Sequence, residues 1–323
     1  MSNEQHIVIL DAGPTGKDVV WPPLEEFGKV SRYESTTPNE LGGRLKNATI
    51  ALTNKVIISA ASIAAAPKLA YIGTIATGFN QVDVDAARAR NIPVCNVPNY
   101  STPAVAQHTI GLILALASGV HFHALDVANG LWSKSPYYCF WNQTPVELEG
   151  KTLGIVGFGN IGKAVGKLSS AFGMKVVAFV PRPKPAPEYA PFAFVGLDEL
   201  FAQSDVVSLH CNLTPENTHL VNAARLAKMK KSAFIINCSR GPLINDKDLA
   251  QALHDGTIAG AGLDVVEQEP MPDSNPLRTA PNCIITPHIA WATIESRTRL
   301  LNVVHNNIKM YLQGTPVNVI NEL

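Results

Sequence analysis

A surplus of either charge is what the chain most plainly lacks. Its 26 Lys and Arg balance 26 Asp and Glu, and charged residues make up only 16% of 323. That balance provides no electrostatic footprint for nucleic acid or for an anionic membrane surface, so neither is expected as a partner. Cysteine is scarce too. Cys95, Cys139, Cys211, Cys238 and Cys283 are odd in number and scattered, with no CxxC or Cys/His spacing. This argues against a disulfide scaffold or a zinc site and for reduced, buried thiols; no metal is expected. Long apolar runs are missing as well. The longest apolar helical stretch, Ile110 to Ala117, falls far short of the ~20 residues that span a bilayer. MSNEQH leads directly into Ile7 to Leu10, without the charged region and long apolar segment of a secretory signal. The expectation is a cytoplasmic protein.

What is there begins with enough apolar residue, 46% of the chain, to build two cores at this length. The most informative stretch runs from Lys151 to Arg182. An apolar strand pattern, Thr152 to Val156, meets Gly157, Gly159 and Gly162; a helix pattern follows, and then a second apolar run from Val176 to Val180. That is a βαβ unit carrying a dinucleotide fingerprint. Gly157 permits the tight turn, Gly159 lets the backbone approach a pyrophosphate, and Gly162 lets helix and strand pack closely. The N-terminus of the helix at Asn160 and Ile161 then favours an anion. An ordinary α/β turn is the plain alternative.

The fingerprint is incomplete in one place. An NAD site usually carries Asp or Glu at the end of the second strand, about 20 residues past the glycines, to hold the ribose 2′-hydroxyl. Here Val180 occupies that place, no acid lies between Gly162 and Glu188, and Arg182 and Lys184 are the next polar side chains. Without the carboxylate a 2′-phosphate is not repelled, and the Arg182 guanidinium is suited to pair with one. The cofactor is therefore expected to be NAD(P), with a preference for NADP(H).

Upstream, short strand candidates at Ile7 to Leu10, Thr49 to Leu52, Tyr71 to Thr74 and Val94 to Val97 alternate with helical spacing such as Val82 to Arg90. That alternation predicts a second, smaller parallel α/β unit. Asp11-Ala12-Gly13-Pro14 places proline where a phosphate cradle would need an N–H, so this unit is not a second nucleotide site. Two loops at its strand ends are candidates for a small carboxylate: Ala76-Thr77-Gly78, and Lys55 after the preceding strand. A plain turn and a solvent-facing lysine are the alternatives there. Thr102 and Pro103 read as a helix start, and the aromatic stretch through Trp132, Tyr137, Phe140 and Trp141 suits a hinge or a buried contact with a second subunit. After the Pro-rich PRPKPAPEYAPF, helices at Leu197 to Gln203, Ala223 to Met229 and Asp246 to Leu253 alternate with strands at Val206 to His210, Ala233 to Asn237, Gly260 to Val265 and Cys283 to Thr286. A terminal helix pattern runs from Trp291 to Leu312.

Three polar clusters follow the last three strands of this larger unit: Asn237 to Gly241, Asp264 to Pro270 and Thr286 to Trp291. Ligands bind beyond the carboxyl ends of parallel strands, so the clusters share one rim. They supply Arg240, Glu269 and His288. Reduction of a 2-keto acid needs a cation to fix the carboxylate and polarise the carbonyl, which suits Arg240. It needs an acid to protonate the oxygen, which suits His288, and a carboxylate such as Glu269 to orient the imidazole and favour its protonated form.

GFGNIG, NCSRG, LDVVEQEP and TPHIAWAT together resemble the D-isomer-specific 2-hydroxyacid dehydrogenase family over essentially the whole chain, and ATGFNQVD, CNVPNYSTPAVAQHT and PHIAWAT resemble its glycerate dehydrogenase (hydroxypyruvate reductase) branch. The resemblance implies a Rossmann-type doubly wound parallel sheet plus a smaller flavodoxin-like α/β substrate domain. The substrate domain would take residues 1–102 completed by 291–323, and residues 103–290 would form the dinucleotide-binding domain with a dimerisation helix and arm, giving a homodimer. It implies Arg240, Glu269 and His288 as the catalytic residues. Asp264 would lie near the nicotinamide carboxamide, with Val105 and Thr109 lining the cofactor. Lys55, Ala76, Thr77 and Gly78 would join Arg240 at the substrate. Hydroxypyruvate, with glyoxylate second, is the implied 2-keto acid. Val180 and Gln107 depart from the common pattern, since many members have Glu at the latter. Another 2-keto acid, or a nucleotide-sensing corepressor role that this fold also serves, are the alternative readings.

Overall fold

Burial of the central strands shapes both sheets of the computed structural model, which describes residues 5–182 and 184–323. Strands buried on both faces need helices above and below, and that is what parallel sheets have. The chain divides into two compact units, Met1–Ser101 with Ala292–Leu323, and Thr102–Trp291.

The first unit holds β1 (Gln5–Ile9), β2 (Gly28–Arg32), α1 (Pro38–Leu45), β3 (Ile50–Thr53), α2 (Ala60–Ala64), β4 (Tyr71–Thr74), α3 (Val84–Ala89) and β5 (Val94–Cys95). The sheet is wholly parallel in the order β2-β1-β3-β4-β5. This is the flavodoxin-like order, 2-1-3-4-5. β3 and β4 are buried at every position. The short helices start on side-chain caps: Ser59 accepts from Ser62 N, and Asp83 accepts from Ala86 N at 2.9 Å. The C-terminal helix, Ile294–Leu312, lies against β4 through Tyr311 on Tyr71 with ring centroids 4.8 Å apart. Asn321 then fastens the terminus to β5, accepting from Val94 N at 3.0 Å and donating to Ile92 O at 2.9 Å.

The second unit opens with α4 (Thr102–Ser118) and α5 (Val120–Ala128). It continues through β6 (Thr152–Val156), α6 (Asn160–Ala171), β7 (Lys175–Phe179), β8 (Phe192–Phe194), α7 (Leu197–Gln203), β9 (Val206–Leu209), α8 (Ala223–Leu226), β10 (Phe234–Asn237), α9 (Asp246–His254), β11 (Gly260–Leu263) and β12 (Cys283–Ile285). All seven strands are parallel, in the order β12-β11-β10-β9-β6-β7-β8. Counted from β6 this is 3-2-1-4-5-6, the doubly wound dinucleotide order, with one further strand. Successive residues go to opposite faces: Val206 joins the core under α4 and α6, and Val207 the core with Leu200, Leu249 and Leu263.

Two edge strands, β2 and β8, were not evident from the sequence. β2 (GKVSR) has one apolar residue and is nowhere fully buried, and β8 is three residues after the proline-rich loop, so neither carries the apolar run that marked the others. α4 begins at Thr102 rather than after it, and the C-terminal helix begins at Ile294 with Thr293 as its cap, accepting from Ser296 N at 3.2 Å. Among the described residues no single helix is long and apolar enough to cross a membrane.

Candidate active site

The strand order reverses between β6 and β9, and the fingerprint glycines sit at that switch. Gly157 has φ +95°, and a Cβ on it would stand 2.6 Å from Cys211 N and 2.7 Å from His210 O, so only glycine turns here. A Cβ on Gly162 would run into the Gly157 carbonyl; helix and strand meet at that point because neither has a side chain. Gly159 is the N-cap of α6 with nothing within 4 Å of its would-be Cβ. The open space over the helix N-terminus, its amides and its dipole suit a pyrophosphate, so the residues present fit a dinucleotide. Asn160 is exposed and Ile161 half-buried on the first turn. On α4, Val105 and Thr109 are buried, and Thr109 Oγ1 donates to Val105 O at 2.8 Å.

β7 ends at Phe179 and half-buried Val180 follows, with no carboxylate. Arg182 is exposed. Lys184, two residues on, donates from Nζ to Phe158 O at 3.2 Å, which carries its ammonium to the glycine loop. The sequence named Lys184 only as a nearby polar residue.

At the ends of β10, β11 and β12 the three polar clusters form successive turns. Asn237, fully buried, donates to Arg240 O at 2.9 Å and accepts from Ser239 N at 3.0 Å, which closes the turn that presents Arg240. Ser239 Oγ donates to Cys211 O at 2.6 Å, tying that turn to the one after β9. The exposed Arg240 guanidinium makes one bond of 2.8 Å to Ser239 O. The next residue packs where only glycine fits: a Cβ on Gly241 would run into the Val266 carbonyl and stand 2.7 Å from Glu267 N. The Arg240 turn and the 264–270 turn are therefore pressed together, backbone on backbone. Asp246 reinforces the second turn by accepting from Glu267 N at 3.2 Å and from Asn275 at 2.7 Å.

Glu269 and His288 meet across these turns, with Oε2 2.7 Å from imidazole Nδ1. The other Glu269 oxygen, Oε1, accepts from Val266 N at 3.3 Å. His288 has φ +56°, a left-handed conformation that non-glycine residues rarely adopt. Asp264 holds it there. The Asp264 carbonyl accepts from His288 N at 2.8 Å, and its carboxylate accepts from Thr286 Oγ1 at 2.6 Å, Ile289 N at 2.9 Å and Ala290 N at 2.8 Å. Asp264 is 1% exposed. The bonds it makes within the chain organise the His288 turn, a role that its motif position alone did not reveal. His108, on α4, completes the cluster with Nε2 2.9 Å from Thr286 Oγ1 and 3.5 Å from Asp264. Sequence reasoning missed His108; its place one helical turn after Val105 was the available signal.

Burial pushes the Cys238 thiol up to about 12 against its hydrogen bond with Thr109, and pushes His210 down to about 4. Both groups are thus neutral near pH 7.

The four candidate substrate positions lie in the first unit. Lys55 follows β3, and its backbone N–H donates to the buried Asp11 carboxylate at 2.6 Å; Asn54 N and Val56 N donate to the same group at 2.7 and 3.2 Å. Burial raises the Asp11 pKa, and those three amides oppose the rise. Ala76 and Thr77 are fixed beyond β4: Val97 N donates to Ala76 O at 3.0 Å, and Thr77 Oγ1 donates to Val97 O at 2.7 Å. Half-buried Gly78 follows them. The structure thus groups Lys55 with Ala76, Thr77 and Gly78 on neighbouring parallel strands of one unit, and Arg240, Glu269 and His288 on neighbouring turns of the other.

The family model for D-isomer specific 2-hydroxyacid dehydrogenase, NAD binding domain, matches residues 110–290. A hydroxypyruvate reductase of Blautia hydrogenotrophica is 44% identical over 98% of this chain and 99% of its own length. A glycerate dehydrogenase of Methylorubrum extorquens is 42% identical over 89% of this chain and 90% of its own. The crystal structure of the TT0316 protein of Thermus thermophilus superposes with a TM-score of 0.87 at 35% identity, covering 98% of this chain and 100% of that one. With its 3-2-1-4-5-6 sheet, glycine cradle and Glu269–His288 couple, the chain belongs to the D-isomer specific 2-hydroxyacid dehydrogenase family.

Proposed function

We propose that the chain reduces hydroxypyruvate, and more slowly glyoxylate, to the D-2-hydroxy acid, with NADPH preferred over NADH. The substrate assignment rests on relatives that are named hydroxypyruvate reductase, glycerate dehydrogenase and glyoxylate reductase at 42 to 44% identity. The observation that carries the chemistry is the Glu269–His288 couple at 2.7 Å, one turn from Arg240 at the carboxyl ends of adjoining strands.

The nicotinamide cofactor supplies the hydride. Gly157, Gly159 and the first turn of α6 would hold its pyrophosphate, with Val105 and Thr109 against the rings. Arg240 pairs with the substrate carboxylate and draws electron density from the 2-carbonyl. His288, its Nδ1 held by Glu269, presents Nε2 and gives its proton to the oxygen that becomes the hydroxyl. Glu269 Oε2, 2.7 Å from Nδ1, fixes the ring plane. In the reverse oxidation the same nitrogen takes the proton back. We further assign Lys55, Ala76, Thr77 and Gly78 to substrate binding, a role supported by their place in loops beyond the strand ends of the first unit.

The NADPH preference is inferred from Val180, which presents no charge to repel a 2′-phosphate, from the exposed Arg182 guanidinium two residues on, and from Lys184, whose ammonium reaches the glycine loop. A homodimer is inferred from apolar exposure concentrated on α5 and the arm beyond it: Val120 66%, Leu125 61%, Trp132 50%, Tyr137 74% and Trp141 61% exposed. Scattered exposed apolar residues are ordinary, but one run of this size marks a contact surface, and a second copy is the self-complementary occupant. The cytoplasm is the compartment that supplies such a cofactor and keeps the thiols reduced.

Substitution tests the assignment. His288→Ala is expected to abolish reduction while leaving NADPH binding in place, and Arg240→Ala to lower kcat and raise KM for the keto acid together. Undiminished turnover by either variant removes that residue from the site.

A further inference from the structure

His288 is held in a left-handed turn, a conformation that persists only where its surroundings over-determine it. The hydrogen bonds around it can be followed outward by the valence of each group. Asp264 receives the amides of Ile289 and Ala290 at 2.9 and 2.8 Å, so its carboxylate acts as an acceptor. Thr286, 2.6 Å from the same carboxylate, must then be the donor in that contact. A hydroxyl has one proton, and this one is spent; the alternative acceptor, Leu263 O, is 3.4 Å away. Thr286 Oγ1 therefore accepts from its third neighbour, His108 Nε2, at 2.9 Å. This fixes the His108 tautomer with its proton on Nε2.

The reach of His108 is itself explained by the strand below it. A Cβ on Gly262 would meet Leu112 Cβ at 3.0 Å, and one on Gly260 would meet Leu116 at 3.1 Å. β11 is glycine where α4 crosses it, so the helix settles close to the sheet. His108, one turn before Leu112, then lies level with the turns that follow β11 and β12.

We infer that His108 is a positioning residue for the reaction: through Thr286 and Asp264 it locks the His288 turn to the helix that carries Val105 and Thr109. The inference rests on the assignment of His288 as the proton donor. Its consequence is that the proton-donating imidazole and the helix lining the cofactor share one rigid frame, so their relative position does not depend on loop motion. His108 touches no reacting atom in this scheme.

Four variants of the full-length protein test it: His108→Leu, His108→Gln, Thr286→Val and the His108→Leu/Thr286→Val double. Loss of the His108 N–H is expected to lower kcat for hydroxypyruvate reduction about tenfold, the usual scale for a group supporting an active-site ligand. Equilibrium binding of NADPH is expected to change less than about twofold, since the chain keeps its glycine cradle. His108→Gln, which keeps a donor amide at similar reach, is expected to recover most of the rate. In the Thr286→Val background, adding His108→Leu is expected to cost little more, as for two members of one chain of bonds. In the unsubstituted protein, the nitrogen-15 histidine spectrum at neutral pH, with His108 assigned by comparison with His108→Gln, is expected to show the Nε2–H tautomer. An Nδ1–H tautomer overturns the inference even if His108→Leu and the Thr286→Val variants misfold. Full kcat in His108→Leu, equal losses in the Leu and Gln variants, or additive losses in the His108→Leu/Thr286→Val double also overturns it. His288→Ala in the same assay separates the two levels. If that variant is inactive and His108→Leu runs at full rate, only the His108 role falls; if it keeps turnover, the His288 assignment and the inference fall together.

Discussion

Gly241→Ala is the substitution in which the packing makes the sharpest demand. The residue is outside the left-handed region, so alanine carries no conformational strain of its own there. What it meets is backbone. Ordinary Cβ contacts begin at 3.4 Å, and the 2.7 Å approach to Glu267 N is 0.7 Å inside that limit, with the Val266 carbonyl nearer still. Neither neighbour is the end of a flexible side chain, so the Arg240 turn and the Val266–Glu269 turn must move apart by more than an ångström. Misplacement on that scale costs on the order of 100-fold in rate, or about 2.7 kcal/mol of transition-state stabilisation. Overpacking of a tight contact also lowers stability by roughly 1–3 kcal/mol. The assay is kcat for hydroxypyruvate reduction beside NADPH binding and a urea melt on the same preparation. The expected pattern is a loss of about 100-fold in kcat with cofactor affinity within a few-fold of the parent. A folded Gly241→Ala enzyme within threefold of the parental kcat would refute the idea that these two turns set the spacing of Arg240 and Glu269.

The other expected outcomes concern different parts of the chain. Alanine at Arg182 or Lys184 is expected to weaken NADPH more than NADH, each by roughly tenfold for a lost charge-assisted contact, and equal losses for both cofactors would place the two residues on a solvated loop. Among the five free thiols, Cys139 is exposed, whereas burial pushes Cys95 and Cys211 up to about 11 and Cys238 and Cys283 up to about 12. Thiol-directed alkylation near pH 7.5 should therefore modify Cys238 and Cys283 far more slowly in the native protein than in the urea-unfolded chain, and mass mapping that finds Cys238 modified equally fast in both would contradict the buried setting. His210 is held down to about 4 from an ordinary 6.5 by burial. Between those values the unfolded chain takes up a proton that the folded chain refuses, so stability is full above pH 6.5 and falls by about 3 kcal/mol as the pH drops toward 4. Urea midpoints for His210→Gln should show a flatter acid slope than the parent, and parallel slopes would mean that His210 is protonated in the folded state.

Most of this was legible because parallel strands are continuous apolar runs. Tyr71 to Thr74 stood out at its full length, and Leu197 to Gln203 had its helical spacing intact. Glycine carried the cofactor cradle because each fingerprint glycine has a steric reason to be glycine. The edge strands were hidden for the converse reason: Gly28–Arg32 is half in water and need not be apolar. The site residues with reactive side chains announced themselves by type and by following strands. Their supports did not. Asp11 and Asp246 are ordinary aspartates in the sequence and Asp264 stood out only as a cofactor neighbour; their work of gathering backbone amides around a turn exists only after the chain has folded. The same holds for Gly241, whose necessity comes from Val266, 25 residues later. Lys184 and His108 were visible as letters, but their direction depends on how a loop and a helix settle.

The most direct measurement is the initial rate of hydroxypyruvate reduction, followed by nicotinamide absorbance, for the parent and His288→Ala with NADPH and NADH in parallel. Steady turnover by the parent, faster with NADPH at limiting cofactor, and no turnover by His288→Ala despite undiminished NADPH binding is the expected result. A parent enzyme without activity on hydroxypyruvate, or a His288→Ala variant that keeps its rate, would contradict the central claim that the Glu269–His288 couple protonates this substrate.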